Sequence, residues 1–412
     1  IYLDPSGTIG SVYAAALSDS TLWIGTNRGL FTYRFSRITG FHSPRMINGS
    51  RGQVWDLKST PNQILCGHTK GTFEVQETSA FNKIANENGG YDFEKVTVNG
   101  KSYLLQSTYS YLVVYERING RWKYAHVIPD FYEPIPQIEK DHLGNFWAAH
   151  LNKGIYRMHL NNGLDSITSL KRYDSKTGFP EDRKLRVAEV EERIVFATGN
   201  ALYTYDDLRD SIIPYNYLNH NVGVFKKAEN IVAAGNQLYW FYYKNYIGLF
   251  RISDNTVKQL FSYDLGRQGM YMISDNQGII PLKDHLHLIC LDNGFALYDE
   301  NRQIQQKDTA VVHINRAVAT NKAGERRYLD ASSNDTELPY RFRNVHFEFA
   351  AQIKTESPLY RYRLKGLNKE YSSWQHQGAA DFTRLPFGNF SMEVQTMSKK
   401  KKKSETASFH FS

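Results

Sequence analysis

One short apolar strand recurs seven times at nearly constant spacing, and this period limits the chain to stacked or radially repeated architectures. The copies are Gly29-Leu30-Phe31, Gly71-Thr72-Phe73, Tyr111-Leu112-Val113, Gly154-Ile155-Tyr156, Ala201-Leu202-Tyr203, Gly248-Leu249-Phe250 and Gly294-Phe295-Ala296, with starts 42, 40, 43, 47, 47 and 46 residues apart. Apolar strands and polar turns precede them, as in Leu22-Trp23-Ile24-Gly25-Thr26, Ile64-Leu65-Cys66-Gly67-His68 and Phe146-Trp147-Ala148-Ala149-His150. The units carry no 3.6-residue period, and a lone sheet of this size cannot bury both faces. Radial repetition lets each sheet cover its neighbours, so residues 1–305 are expected to form a seven-bladed β-propeller. Ser11–Leu17, Arg186–Val190 and Asn230–Gly235, small or β-branched, suit innermost strands, and Ile1–Leu3 is expected to close the ring by joining the last blade.

After Glu300 the period stops, and a boundary is expected near residue 305. Residues 306–412 carry period-two runs, Asn344–Ala351, Tyr360–Leu364 and Gly388–Val394, separated by turn signals, which read as a β-sandwich. The whole chain is therefore expected to be all-β, in keeping with 28 Tyr, 23 Phe and 6 Trp among 412 residues. Two cysteines, Cys66 and Cys290, cannot build a disulfide framework or a zinc knuckle. No run approaches the roughly 18–20 apolar residues of a membrane-spanning helix. The net charge is +8, but five of those excess positive charges are Lys399–Lys403, between two strand-like runs, where a solvated hairpin tip is expected.

Leu22-Trp23-Ile24-Gly25-Thr26-Asn27-Arg28-Gly29-Leu30-Phe31-Thr32-Tyr33 resembles the two-component regulator propeller repeat. Tyr360-Arg361-Tyr362-Arg363-Leu364-Lys365-Gly366, Lys369-Glu370-Tyr371, Trp374 and Leu385-Pro386-Phe387-Gly388-Asn389-Phe390 resemble the Y_Y_Y domain. Tyr371 stands where that family usually has Trp, and Phe382 and Phe390 where it usually has Tyr. The resemblance implies an Ig-like sandwich over 306–412 and the periplasmic sensor region of a Bacteroides-type hybrid two-component protein. It also implies an inner-membrane protein whose transmembrane helix and histidine kinase lie outside this chain, a homodimer, and an oligosaccharide ligand. Such proteins often carry two propellers, and the start at Ile1 suits a piece that begins after a first one.

A catalytic reading needs convergent acids, bases, nucleophiles or metal ligands. None stands out: His285 and His287 are expected to be exposed, Glu189, Glu191, Glu192 and Asp206-Asp207 to be solvated at strand ends and turns, and His68 and His150 to share a repeat position with Thr26. No cofactor, metal or nucleic acid is expected. What remains is one rim of the propeller, formed by the second-to-third-strand turns and the loops leading into each blade. There Arg28, Arg51, Lys70, Lys153, Arg183, Lys244 and Arg267 accompany Trp55, Tyr109, Phe131, Tyr132 and Tyr271. Rings stack on sugar faces and guanidinium forks match carboxylate or sulfate, so the expected ligand set is Arg28, Arg51, Lys70, Tyr109, Tyr132, Lys153, Arg183, Arg267 and Tyr271, for an acidic oligosaccharide. The rival readings are a propeller lyase or glycosidase, favoured if acidic and basic side chains converge in the central channel, and a protein-binding scaffold.

Overall fold

The computed structural model describes residues 2–3, 7–18, 21–36, 40–41, 44–60, 63–75, 81–254, 256–273, 278–283, 285–301, 311–329, 337–352, 358–397 and 406–412. It divides into two compact units, Ile1–Asn301 and Arg302–Ser412. The expected boundary at 305 falls among residues 302–310, outside the described residues, as does the lysine run 399–403.

The first unit is a seven-bladed propeller. Among the described residues its sheets are antiparallel meanders whose first strands are Val12–Ser18, Val54–Thr60, Asp92–Val98, Gln137–Lys140, Arg186–Val190, Asn230–Ala233 and Ile279–Pro281. The second strands are buried on both faces, Gln63–His68 and Leu286–Leu291 along their whole length, which is why they read as continuous apolar runs. Packing occurs between blades: Trp23 and Leu30 of blade one meet Val54, Leu57 and Cys66 of blade two. Ile9, Val12 and Ala15 likewise meet Leu288, Cys290 and Phe295 of blade seven. The ring closes through Tyr2–Leu3, the outermost strand of the last blade, with Tyr2 opposite Phe295 and Leu3 opposite Gly294. Ser11 adds a hydroxyl bond to the Asp292 carbonyl at 2.9 Å. Both cysteines are free and buried, and burial pushes their thiols upward. No helix among the described residues is long and apolar enough to cross a membrane.

The second unit is a sandwich of a four-stranded sheet (Arg326–Leu329, Val311–Thr320, Asn344–Gln352, Ala379–Phe382) and a three-stranded sheet (Leu359–Lys365, Phe390–Met397, Ala407–Phe411). Phe347, Phe349, Tyr360, Leu364, Met392, Val394, Phe409 and Phe411 fill the space between them. Tyr371 still finds a hydroxyl partner, donating to the Glu393 carboxylate at 2.9 Å, whereas Phe382 and Phe390 are buried in the core.

Candidate functional site: the face and mouth of the propeller channel

Because every blade is an antiparallel meander, the turn between its second and third strands lies at the end where its first strand begins. Backbone bonds join these ends, from the Asn27 amide to the Ser11 carbonyl at 3.1 Å and from the Thr69 amide to the Gln53 carbonyl at 2.9 Å. The residue at the end of the second strand, its last or the one just after it, caps the turn. Thr26, Thr108 and Thr198 each donate to the carbonyl three residues on and accept amides from the turn. At the same position His68 Nδ1 accepts the Lys70 amide at 3.0 Å, and His150 Nδ1 accepts the amides of Asn152 and Lys153, both at 3.0 Å. The shared position of His68, His150 and Thr26 is thus turn capping. Burial holds His68 down at about 4 and also lowers His150, against the pull of Glu133. Thr108→Val, which removes the cap of blade three, is expected to cost about 1 kcal/mol in urea unfolding. His68→Thr should cost less than His68→Val, because only the first restores an oxygen cap.

On this face Arg28, Arg51, Lys70 and Arg183 are exposed, as are Tyr132 and Tyr271. Arg267 lies in the short 3-10 turn Leu265–Gln268, and its side chain lies outside the described residues. Among the described residues, no hydrogen bond or ion pair joins any two members of the expected ligand set. Lys153 is engaged by Glu133 at 2.9 Å, within a network that also takes His150 at 3.0 Å and Tyr156 at 3.2 Å. Lys244 lies over the Tyr243 ring. Phe131 departs from the rim reading: it is buried and packs edge-on against Tyr156, because the loop into blade four turns it into the core between blades three and four.

What does converge is aromatic. Tyr13 and Trp55 sit at corresponding bulges: the register jumps from Val12–Thr26 to Ala14–Gly25 and from Val54–His68 to Asp56–Gly67, leaving each ring residue unpaired. Each is the second residue of its innermost strand, so both stand at the mouth of the channel. Trp55 meets Tyr13 edge-on at 5.5 Å, Tyr91 at 5.0 Å and Tyr109 at 6.3 Å between centroids, and Tyr91 meets Tyr109 at 5.1 Å. Trp55 Nε1 donates to the Tyr109 hydroxyl at 2.9 Å, which also lies 3.3 Å from Thr69 Oγ1. Burial raises Tyr13, and burial with its neighbour Tyr109 pushes Tyr91 up to about 12, while Arg186 opposes.

Further along the innermost strands the channel is acidic. Asp56, Asp92, Glu94, Glu139 and Glu189 from blades two to five interact with one another and with Lys58 and Lys140. Side chains also stitch successive strands: Lys58 donates to the Phe93 carbonyl at 3.1 Å, Asp92 accepts the Ile138 amide at 3.1 Å, and Gln137 accepts the Val187 amide at 3.2 Å. Asp56, Asp92, Glu94 and Glu139 are partly exposed toward the channel but largely enclosed by protein. Burial, then repulsion between carboxylates, pushes Asp92 up to about 6, Glu94 to about 7 and Glu139 well above the ordinary range. Glu189 was expected to be merely solvated; it is exposed, but to this channel, where it acts on Glu94 and Glu139.

Two further places complete the survey. His285 is exposed, but His287 is buried, contrary to expectation: it accepts the Trp240 indole at 3.2 Å and meets Glu300 at 2.6 Å, because a second strand has no solvent face. On the opposite face, a cleft of about 190 Å3 between blades four and five is lined by residues including Asp141, His142, Glu191, Arg193 and Asp207. Among the described residues no group of three or more His, Cys, Asp or Glu could hold a metal ion.

Residues 352–412 match the family model of the Y_Y_Y domain. Among curated proteins, none matches the chain by sequence. The fold is similar to the crystal structure of the extracellular domain of a protein described as a hybrid two component system, BT3049 from B. thetaiotaomicron, at 15% identity and a TM-score of 0.52. The alignment covers 98% of this chain and 55% of that one, so the chain spans about half the length of that extracellular domain. The extracellular domain of BT4673 from the same organism aligns at 14% identity, over 100% of this chain and 58% of that one, with a TM-score of 0.49. Virginiamycin B lyase from Staphylococcus aureus aligns at 12% identity, over 72% of this chain and 97% of that one, with a TM-score of 0.47.

Proposed function

We propose that this chain is an extracytoplasmic sensing region of a hybrid two-component signalling protein, with the turn-bearing face of the propeller as its oligosaccharide site. The observation that carries the reading is the order of parts: a seven-bladed propeller followed in one chain by a segment matching the Y_Y_Y domain. The aromatic cluster from blades one to three would give that face stacking surfaces for sugar rings, and Arg28, Arg51 and Arg183, exposed on the same face, would meet any carboxylate or sulfate. Ligand would favour one arrangement of a homodimer, and the sandwich would pass it to a kinase beyond the membrane. The shift can be no larger than the ligand's differential affinity for the two arrangements.

Calorimetric titration of the purified chain with neutral and acidic oligosaccharides, at low and high salt, tests this. Micromolar binding that Trp55→Ala abolishes is expected, and a salt-sensitive part lost in Arg183→Ala would assign the rim its role. Silence across the panel rejects the site. A second reading, a propeller lyase or glycosidase, is favoured by the carboxylates of raised pKa that converge with Lys58 in the channel, since such groups suit general acid catalysis. Release of new reducing ends or unsaturated sugars by the purified chain would establish it, and the absence of turnover on substrates that bind would reject it.

A further inference from the structure

The sandwich carries a surface that the sensing reading does not use. We propose that one end of it docks on the headgroups of an anionic lipid bilayer. This goes beyond the oligosaccharide site, which lies in the other unit, and does not depend on it.

Strand register collects four loops at that end. Thr320 stands opposite Asn344 and Phe382 opposite Val345, so residues 321–326, 337–343 and 383–389 flank the same edge of the four-stranded sheet. In the three-stranded sheet Phe390 is opposite Phe411 and Lys365 opposite Ser391, which brings residues 365–370 beside Asn389. Backbone bonds tie these ends together, from the Leu338 amide to the Ser412 carbonyl at 2.7 Å and from the Leu385 amide to the Arg343 carbonyl at 2.8 Å. The Arg343 guanidinium adds a bond to the Leu385 carbonyl at 3.0 Å.

The loop tips are apolar. Phe387 is 90% exposed, Tyr340 62% and Leu367 45%, and among the described residues of this unit only Val311 is a further large apolar side chain so exposed. Rings and aliphatic groups held that far into water mark a surface that meets a partner. The charge around them is one-sided, because the four loops hold seven Lys or Arg and three Glu. Arg343 lies over the Tyr340 ring at 4.9 Å, while the ion pairs are long, Arg341 to Glu325 at 3.9 Å and Lys365 to Glu393 at 4.0 Å. Aromatic rings among cations suit the bilayer interface, where rings enter the headgroup layer and cations meet lipid phosphates.

Shape and charge choose among occupants. Side chains this exposed project from the loops, so the end is a knob, which fits a soft planar surface rather than a small ligand that needs a concavity. A second copy docked through the same end would set cations against cations. A nucleic acid would match the charge but give Leu367 little apolar contact. Lys399–Lys403 lies between Met397 and Ala407, the strand ends farthest from Phe390 and Phe411, and is a separate source of charge.

The test is co-sedimentation of the whole chain with phosphatidylcholine vesicles, with and without phosphatidylglycerol, at low and high salt. Binding is expected only with phosphatidylglycerol and falls with salt. Phe387→Ser should weaken it about tenfold, whereas Phe387→Trp preserves it. Arg341→Gln combined with Arg384→Gln should weaken it about thirtyfold, since two charges are lost. Replacing Lys399–Lys403 with Gln should leave the dependence on Phe387 intact. All three residues of the first two tests are exposed, so thermal unfolding that matches the parent separates lost docking from lost fold. No sedimentation with anionic vesicles, equal sedimentation with neutral ones, or binding that the lysine run alone controls overturns the proposal. So does binding of RNA that phosphatidylglycerol vesicles do not compete away. Each of these outcomes leaves the oligosaccharide reading untouched.

Discussion

Glu94→Gln and Glu139→Gln each make the chain more stable at pH 8, and the gain fades as the pH falls toward 5. In the folded chain Glu94 is raised from 4.5 to about 7 and Asp92 from 3.8 to about 6, with burial the largest cause and neighbouring carboxylates next. A carboxyl raised by folding holds its proton in the native state over a range where the unfolded chain has already lost it. The associated stability is complete below about pH 4 and is lost as the pH rises through 6 and 7. At pH 8 ionised Glu94 therefore costs on the order of 3 kcal/mol relative to a neutral isostere, at about 1.4 kcal/mol per pH unit. The acids share one field, so the two substitutions together give less than the sum of their separate gains. His68 runs the other way: burial lowers it to about 4, so its contribution is present above about 6.5 and lost as the pH falls. The measurement is consequently the difference in urea midpoint between variant and parent at pH 5, 6, 7 and 8, in which the His68 contribution cancels. A flat difference would mean that the channel acids are solvated as freely as surface carboxylates.

The propeller was legible because its signal is redundant: seven copies of one strand at a steady spacing survive the loss of any single copy, including blade three, where Tyr111 replaces the usual glycine. Closure by the N-terminal strand was expected as well, and Tyr2–Leu3 supplies the fourth strand of the last blade. The acidic channel was missed for a physical reason. Innermost strands were expected to be small or β-branched, which holds for Ala14-Ala15-Ala16 of blade one but not for blades two to four, whose charged side chains are only partly buried and face the channel. A signal existed: Asp56-x-Lys58, Asp92-x-Glu94 and Gln137-x-Glu139 each place polar groups two residues apart, on one face of a first strand. Only the ring geometry brings these faces together, because adjoining blades supply them from positions more than thirty residues apart. His287 shows the converse limit: alternation marks a solvent face on an edge strand, but a second strand has none, and the imidazole is buried with Glu300 as its partner.

Gly67→Val destabilises the propeller more than a typical surface-strand substitution, and Gly25→Val does the same one blade earlier. Both glycines are the last residue but one of the second strand of their blade, Gly25 in Trp23-Ile24-Gly25-Thr26 and Gly67 in Leu65-Cys66-Gly67-His68. Neither has the positive φ that would reserve its backbone for glycine, so the requirement comes from what lies opposite. A Cβ on Gly67 would stand 2.2 Å from the Gly90 carbonyl oxygen of the next blade, and one on Gly25 would stand 2.4 Å from Val54 Cγ1. The two cases differ in what must yield. At Gly67 the obstacle is backbone, with Gln106 packed beside it and bonded to Thr72 at 2.7 Å and Tyr115 at 2.6 Å, so blades two and three have to separate. At Gly25 the obstacle is side chain rather than backbone, Val54 Cγ1 with Ala14 Cβ at 3.0 Å and Val54 Cβ at 3.1 Å beside it, so the cost is about that of ordinary overpacking, 1–3 kcal/mol. Gly67→Val is therefore expected to exceed that range, and Gly67→Ala to cost more than Gly25→Ala. Chemical unfolding of the four variants measures the order directly. A smaller loss at Gly67 than at Gly25 would show that blades two and three can part without disturbing the ring, which is incompatible with a continuous core shared by every pair of neighbours.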